Sequence, residues 1–187
     1  MPDHATPDVE TRIEHLAHGT DLRPVADILV RERTSIVGGW LQLAARQPFH
    51  ADRPERAVAD HIPVLVDAIA SVLARNASPN DDVEAPLEDA AVAGAATAHA
   101  QVRFEQGLGP VAIATEFRLL RQEISRVLVA HLEDELPTTD VVKSVMVVND
   151  ALDGATMLAL AALTDRIEQV RDEFLATTLH DVRQPIT

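Results

Sequence analysis

Residues 138–187 read TTDVVKSVMVVNDALDGATMLALAALTDRIEQVRDEFLATTLHDVRQPIT. Nothing in this stretch stops a helix before Pro185, and Gly154 is its one internal weak point. The pattern predicts a single helix of more than about 40 residues, far longer than the globular mean of roughly 11 to 12. Leu160, Leu163, Ile167, Val170, Phe174 and Thr177 recur at alternating three and four spacing, the seam of a short parallel coiled coil. A helix leaving its own domain on such a seam needs a second copy of itself, so the stretch predicts a homodimer and an all-α protein.

Working toward the N-terminus, Pro137 ends a helix that Pro110 begins, with Val111, Ile113, Ala114, Phe117, Leu120, Ile124, Val127, Leu128 and Leu132 at helical spacing. Before it, an alanine-rich helix runs from about Pro86 to Phe104 and is closed by Gly107 and Gly109. The turn-rich segment 76–86 reads as a surface loop. Asp52 and Pro54 open a helix carrying Val58, Ile62, Leu65, Val66, Ile69 and Leu73, which Pro63 should break or kink. From Asp21, one long helix carries Leu22, Val25, Ile28, Leu29, Ile36, Trp40, Leu41 and Ala44 until Gln47-Pro48 stops it. The expected organisation is a loose leader over 1–19, a bundle over 20–137, and a long helix over 138–187, about five helices in all.

Composition narrows the class. Hydrophobic residues make up 47% and aromatics only 3%, which favours helices packed through alanine, valine and leucine. Sixteen basic against thirty acidic residues leave a formal net charge of -14, so phosphate backbones and anionic lipid are poor partners. There are no cysteines, which removes disulfides, thiolate metal sites and thiol redox sensing. The acidic start lacks the pattern of a signal peptide, and Lys143, Asn149, Asp150 and Asp153 interrupt the most apolar stretch. The expectation is a cytoplasmic chain with no membrane insertion and no nucleic-acid partner.

The far end of the long helix carries Phe174-Leu-Ala-Thr-Thr-Leu-His180-Asp181-Val-Arg183-Gln184-Pro185-Ile-Thr187. This resembles the H-box of the dimerisation and phosphoacceptor domain of two-component histidine kinases: an apolar lead-in, then histidine, acid, hydrophobe, base, a polar residue, proline and an aliphatic. The resemblance implies that His180 is the phosphoacceptor and Asp181 the orienting acid or general base. Chemically, a neutral imidazole nitrogen can attack the terminal phosphorus of ATP while a neighbouring carboxylate holds and takes up the proton. Arg183 would be an auxiliary group near the phosphate, and Pro185 a bend one turn beyond the histidine. Gln184 stands where many members carry the threonine or asparagine linked to phosphatase activity. Nothing resembles the ATP-lid boxes of these kinases, and the chain stops seven residues after His180. It is therefore expected to be a kinase fragment, inactive alone, holding no cofactor itself, with ATP and Mg needed by the full-length enzyme.

Upstream, Trp40, then His61-Ile-Pro63-Val-Leu-Val-Asp67, then His99-Ala-Gln-Val-Arg103-Phe104 with Gly107, and Glu116-Phe-Arg118-Leu-Leu-Arg121 look like the helical N-terminal domain of RsbR-type stressosome co-antagonists, similar domains of which precede histidine kinases. His99 and Arg103 share a helix face at i and i+4, while Glu116, Arg118 and Arg121 lie on the next, antiparallel helix. A polar cluster of His99, Arg103, Glu116 and Arg121 follows, setting helix register or binding a ligand, with Arg103 and Glu116 as an ion pair because an unpaired buried charge is costly. Trp40 reads as core, His61 as a partner of the kink, and His15 and His18 as surface residues lacking a third metal ligand; no metal or haem site is expected.

Together these features read as the signal-input region of a cytoplasmic sensor histidine kinase, partnered by a second copy and by a response regulator receiver domain. The rival is a stressosome-type interaction scaffold in which no histidine is phosphorylated. A stand-alone enzyme finds no support in the bundle.

Overall fold

In the computed structural model, residues 21–59, 61–75, 89–132 and 138–182 are described. Among them every regular element is helical: α1 (Arg23–Arg31), α2 (Arg33–Ala44), a 3-10 turn (Pro48–His50), α3 (Glu55–Ala59), α4 (Ile62–Arg75), α5 (Ala90–Glu105), α6 (Pro110–Leu132) and α7 (Thr138–Val182).

Two expected helices are each divided. The first bends at Glu32, whose φ of -95° and ψ of 7° lie between helical and extended values. The bend falls in the polar run Arg31-Glu32-Arg33, where no apolar side chain ties successive turns to the core. It lets α1 present Val25, Ile28 and Leu29, and α2 present Ile36, Trp40 and Ala44, to one interior. The second divides before Pro63, as the missing amide of proline requires. Pro63 becomes the second residue of α4, and His61 sits at the break.

Asp89 caps α5 by accepting from the amides of Ala91 and Val92, both at 2.9 Å. The loop segment 76–86, the leader with His15 and His18, and residues 133–137 lie outside the described residues. Alanines along α5 leave room for α4 on one side and α7 on the other. Gly39 lies close to α6, where an added Cβ would meet the Glu123 carboxylate and require that side chain to move.

The core is one continuous cluster. Leu65, Ile69 and Leu73 of α4, Val92 and Ala96 of α5, Ile113, Phe117, Leu120 and Ile124 of α6, and Val148, Leu152, Ala155 and Ala159 of α7 all join it. Two stretches, Glu55–Arg75 and Val141–Thr178, are long and apolar enough to cross a membrane by composition. Ile62 to Leu73 of the first stretch and Val147 to Leu163 of the second supply walls of the bundle.

At 45 residues α7 is one helix, the length expected of it. Its residues Ser144 to Leu163 face the bundle at seven-residue or shorter intervals. Past Leu163, which is 2% exposed, the same helix faces water: Ile167 is 47%, Val170 39% and Phe174 68% exposed.

Candidate functional site

The buried polar groups concentrate at one place, around Glu116 in the second turn of α6. Both carboxylate oxygens are fully taken up. His50 Nε2 lies 2.6 Å from Oε1, and His99 Nε2 3.0 Å from Oε2. Because each faces an acceptor, each Nε2 carries the proton. Arg103 Nε donates to both oxygens at 2.9 Å. The Trp40 indole N–H donates to the Glu116 carbonyl at 3.0 Å, so backbone and side chain of one residue are held from α2, the 3-10 turn and α5.

Arg103 has a second task. The helix α3 ends at Ala59, so its last carbonyls lack the donors that a further turn would supply. Arg103 Nη1 donates to the Ala57 carbonyl at 3.1 Å and Nη2 to the Val58 carbonyl at 2.6 Å. Gln106 Nε2 also reaches Ala57 at 3.1 Å, and its Oε1 accepts from Arg103 Nη1. The guanidinium therefore joins three helices: it is made on α5, neutralised on α6 and caps α3.

The chain folds locally to suit. Gly107, at φ 73°, closes α5 in a Schellman motif: its amide donates to Phe104 and that of Leu108 to Arg103. The turn reverses the chain into α6, which returns Glu116 beside Arg103. Aromatic edges complete the wall, with the His99 and Phe117 rings 5.6 Å apart and Phe49 and His50 4.8 Å apart.

Burial alone pushes the Glu116 carboxyl up. Hydrogen bonds from His50 and His99, attraction to His99 and the Arg103 bond outweigh burial and hold it at about 2, against the ordinary 4.5. Since the folded value is the lower one, the stabilisation is complete above pH 4.5 and is lost as pH falls toward 2. The gap corresponds to roughly 3 kcal/mol. Denaturant titrations between pH 5 and pH 2 should show a steep loss of stability that Glu116→Gln flattens. An equal slope in both proteins would refute the assignment.

The expected quartet is brought together only in part. His99, Arg103 and Glu116 meet as proposed, and the Arg103–Glu116 pair is present. Arg121 does not join them: it pairs with Asp153 of α7, tying α6 to the long helix instead. Arg118 is exposed. His50 and the Trp40 N–H are members that the sequence did not reveal. Trp40 is core, as expected, and fully buried. The cluster has no solvent access, since His50, His99, Arg103 and Glu116 are all 0–2% exposed, so it acts as a brace and not as an open receptor. Among the described residues no three His, Asp or Glu side chains gather to hold a metal ion.

The second candidate site is the turn bearing His180 and Asp181. Both stand on the backbone of α7, on the same uninterrupted helix that packs on α5 and α6. Arg183, Gln184 and Pro185 lie outside the described residues.

A family model described as RsbT co-antagonist protein rsbRD N-terminal domain matches residues 34–174. The match takes in the whole Glu116 cluster and α7 as far as Phe174. No curated protein and no solved structure gave a significant match.

Proposed function

The chain belongs to the RsbT co-antagonist protein rsbRD N-terminal domain family, and from that premise we propose that it is the signal-input region of a cytoplasmic sensor histidine kinase, with His180 as phosphoacceptor. One observation carries the reading: α7 is built into the bundle core as far as Leu163 and then continues, without a break, to the turn that bears His180. A change in how α5 and α6 pack would be felt along a rigid rod. Two bundle arrangements separated by a few kcal/mol would suffice to shift the orientation of the phosphoacceptor turn. Asp181 would hold and deprotonate the imidazole, Arg183 would assist at the phosphate, and Gln184 would occupy the position tied to phosphatase activity. ATP and Mg would come with an ATP-binding domain, and a response regulator receiver domain would take the phosphoryl group. The test is acid-labile labelling of His180 from ATP.

A dimer is part of this proposal. Ile167, Val170 and Phe174 hold heptad positions on a stretch of helix that is exposed among the described residues. Sedimentation should find a dimer at micromolar concentration. Ile167→Asp should weaken it roughly hundredfold, since a carboxylate would be placed twice in one seam. Phe174→Asp should act alike, and neither should alter the melting of the bundle. Leu163 is unsuited to this test because it is buried within its own chain. A monomer in the wild-type protein would remove the dimer from the proposal.

The family match is equally compatible with a second reading, the interaction scaffold, in which the bundle displays a binding surface and no phosphoryl group is carried. Absence of label on His180, with the bundle intact, would select it.

A further inference from the structure

We propose that Arg166 and Phe104 form the release point of α7, a cation–π clasp that sets how far along the helix the bundle holds it and links that hold to the Glu116 cluster. The Arg166 guanidinium carbon lies 5.5 Å from the centre of the Phe104 ring. That distance is within the range of an attractive contact between a cation and a ring face.

The position of the contact gives it meaning. Leu163 is the last residue of α7 buried in the core; from Ile167 to Thr178 every residue is exposed. Among the described residues Arg166 is thus the last side chain of α7 to hold to the bundle. Its Nε is buried and has no acceptor among the described residues, so that N–H is left on the ring side of the contact without a partner. The guanidinium's hydrogen bond from Nη1 to Gln169 Oε1, at 3.4 Å, is long and stays within α7, so the tie to the bundle itself is the ring contact, which is weak beside an ion pair. Such a tie can open where a buried ion pair would not.

Phe104 is placed by the cluster. It is the neighbour of Arg103 in the last turn of α5, and both residues accept the closing hydrogen bonds of the Schellman motif, at 2.9 Å and 2.8 Å. Arg103 in turn is fixed to Glu116, Ala57 and Val58. Any rearrangement of the cluster must therefore move the last turn of α5, and with it the ring on which Arg166 rests. Arg121 with Asp153 ties α7 to α6 about three and a half turns earlier, so the helix would loosen from Leu163 onward while its upper part stays docked.

Hydrogen exchange by mass spectrometry on the 187-residue chain, at fixed chain concentration, tests this without reference to any kinase output. Arg166→Ala should raise exchange of amides 163–170 by about threefold to tenfold, the range of a single cation–π contact, and leave 147–159 unchanged. Arg166→Lys keeps a cation over the ring and should restore part of the protection, whereas Arg166→Gln should not. Phe104→Leu keeps the apolar contact and removes the ring, so it should match Arg166→Ala, and the double variant should exceed neither alone. Glu116→Gln should raise exchange at 163–170 in the wild-type background but no further in Phe104→Leu. Unchanged exchange at 163–170 in Arg166→Ala would overturn the clasp. Equal rises throughout the bundle would assign Arg166 to general stability and overturn it as well. If Phe104→Leu fails to fold, the three Arg166 variants still decide. Loss of the phosphoacceptor reading would leave these results standing, because none involves His180.

Discussion

Arg103→Ala should be the most destabilising substitution in the bundle, lowering its stability by about 3–5 kcal/mol, as expected when one partner of a buried ion pair is removed. The loss has two sources. Glu116 would remain at 0% exposure with only two histidine donors, and the carbonyls of Ala57 and Val58 would lose their guanidinium cap. Against a total of roughly 5–15 kcal/mol for a domain, the variant should melt far below the wild type. Glu116→Ala should cost a comparable amount, because it strands the guanidinium. The double variant should then be less destabilised than the sum, with a coupling of about 1–3 kcal/mol by urea titration. Arg103→Lys separates the two sources: an ammonium can meet Glu116 but cannot fork toward two carbonyls of α3, so it should recover only part of the loss. Full additivity would mean that the two side chains are not in contact.

That pair was legible in the sequence, and the reason is instructive. His99 and Arg103 sit at i and i+4, the glycine at 107 announces a tight reversal, and an acid at 116 then falls opposite them on the returning helix. Helical geometry also shows why Arg121 was misplaced. It is five residues from Glu116, about 140° around a helix of 3.6 residues per turn, and so faces Asp153 of α7. His50 left no periodic signal, because it stands in one 3-10 turn between two helices, where spacing says nothing about facing. In the sequence Gln47-Pro48 reads only as the stop of the first helix, although that proline starts the turn. The bend at Glu32 was hidden in the same way: apolar residues on both sides keep three and four spacing, and the change of axis lies between them.

The length of α7 was the plainest feature of the sequence, since no residue in it forbids a helix. What the sequence could not give was where the bundle lets the helix go. The seam residues Leu160 and Leu163 share the spacing of Ile167 and Phe174, yet Leu163 is spent on the chain's own core while Ile167 and Phe174 face water. One periodic stripe thus serves two partners in succession, and only tertiary packing divides it. That division supports reading the upper stripe as input and the lower stripe as output.

Given ATP and magnesium, and either a covalently following ATP-binding domain or a compatible one added in trans, one acid-labile phosphoryl group per chain should form on His180. On the proposed reading a nitrogen of the neutral imidazole would attack the terminal phosphorus, the bond to ADP would break, and the imidazole proton would pass to the Asp181 carboxylate. His180→Gln should reduce labelling to background, because an amide nitrogen has no lone pair free to attack. Asp181→Asn keeps the volume and removes the base, so labelling should slow by about 10²- to 10⁴-fold with the helix intact by circular dichroism. Ile167→Asp should lower labelling as well if one chain of a dimer presents its histidine to the other's ATP-binding domain. The chain has eight histidines, two of them locked on Glu116. Label on any of the other seven, or label that survives His180→Gln, would end the kinase reading and place the scaffold first.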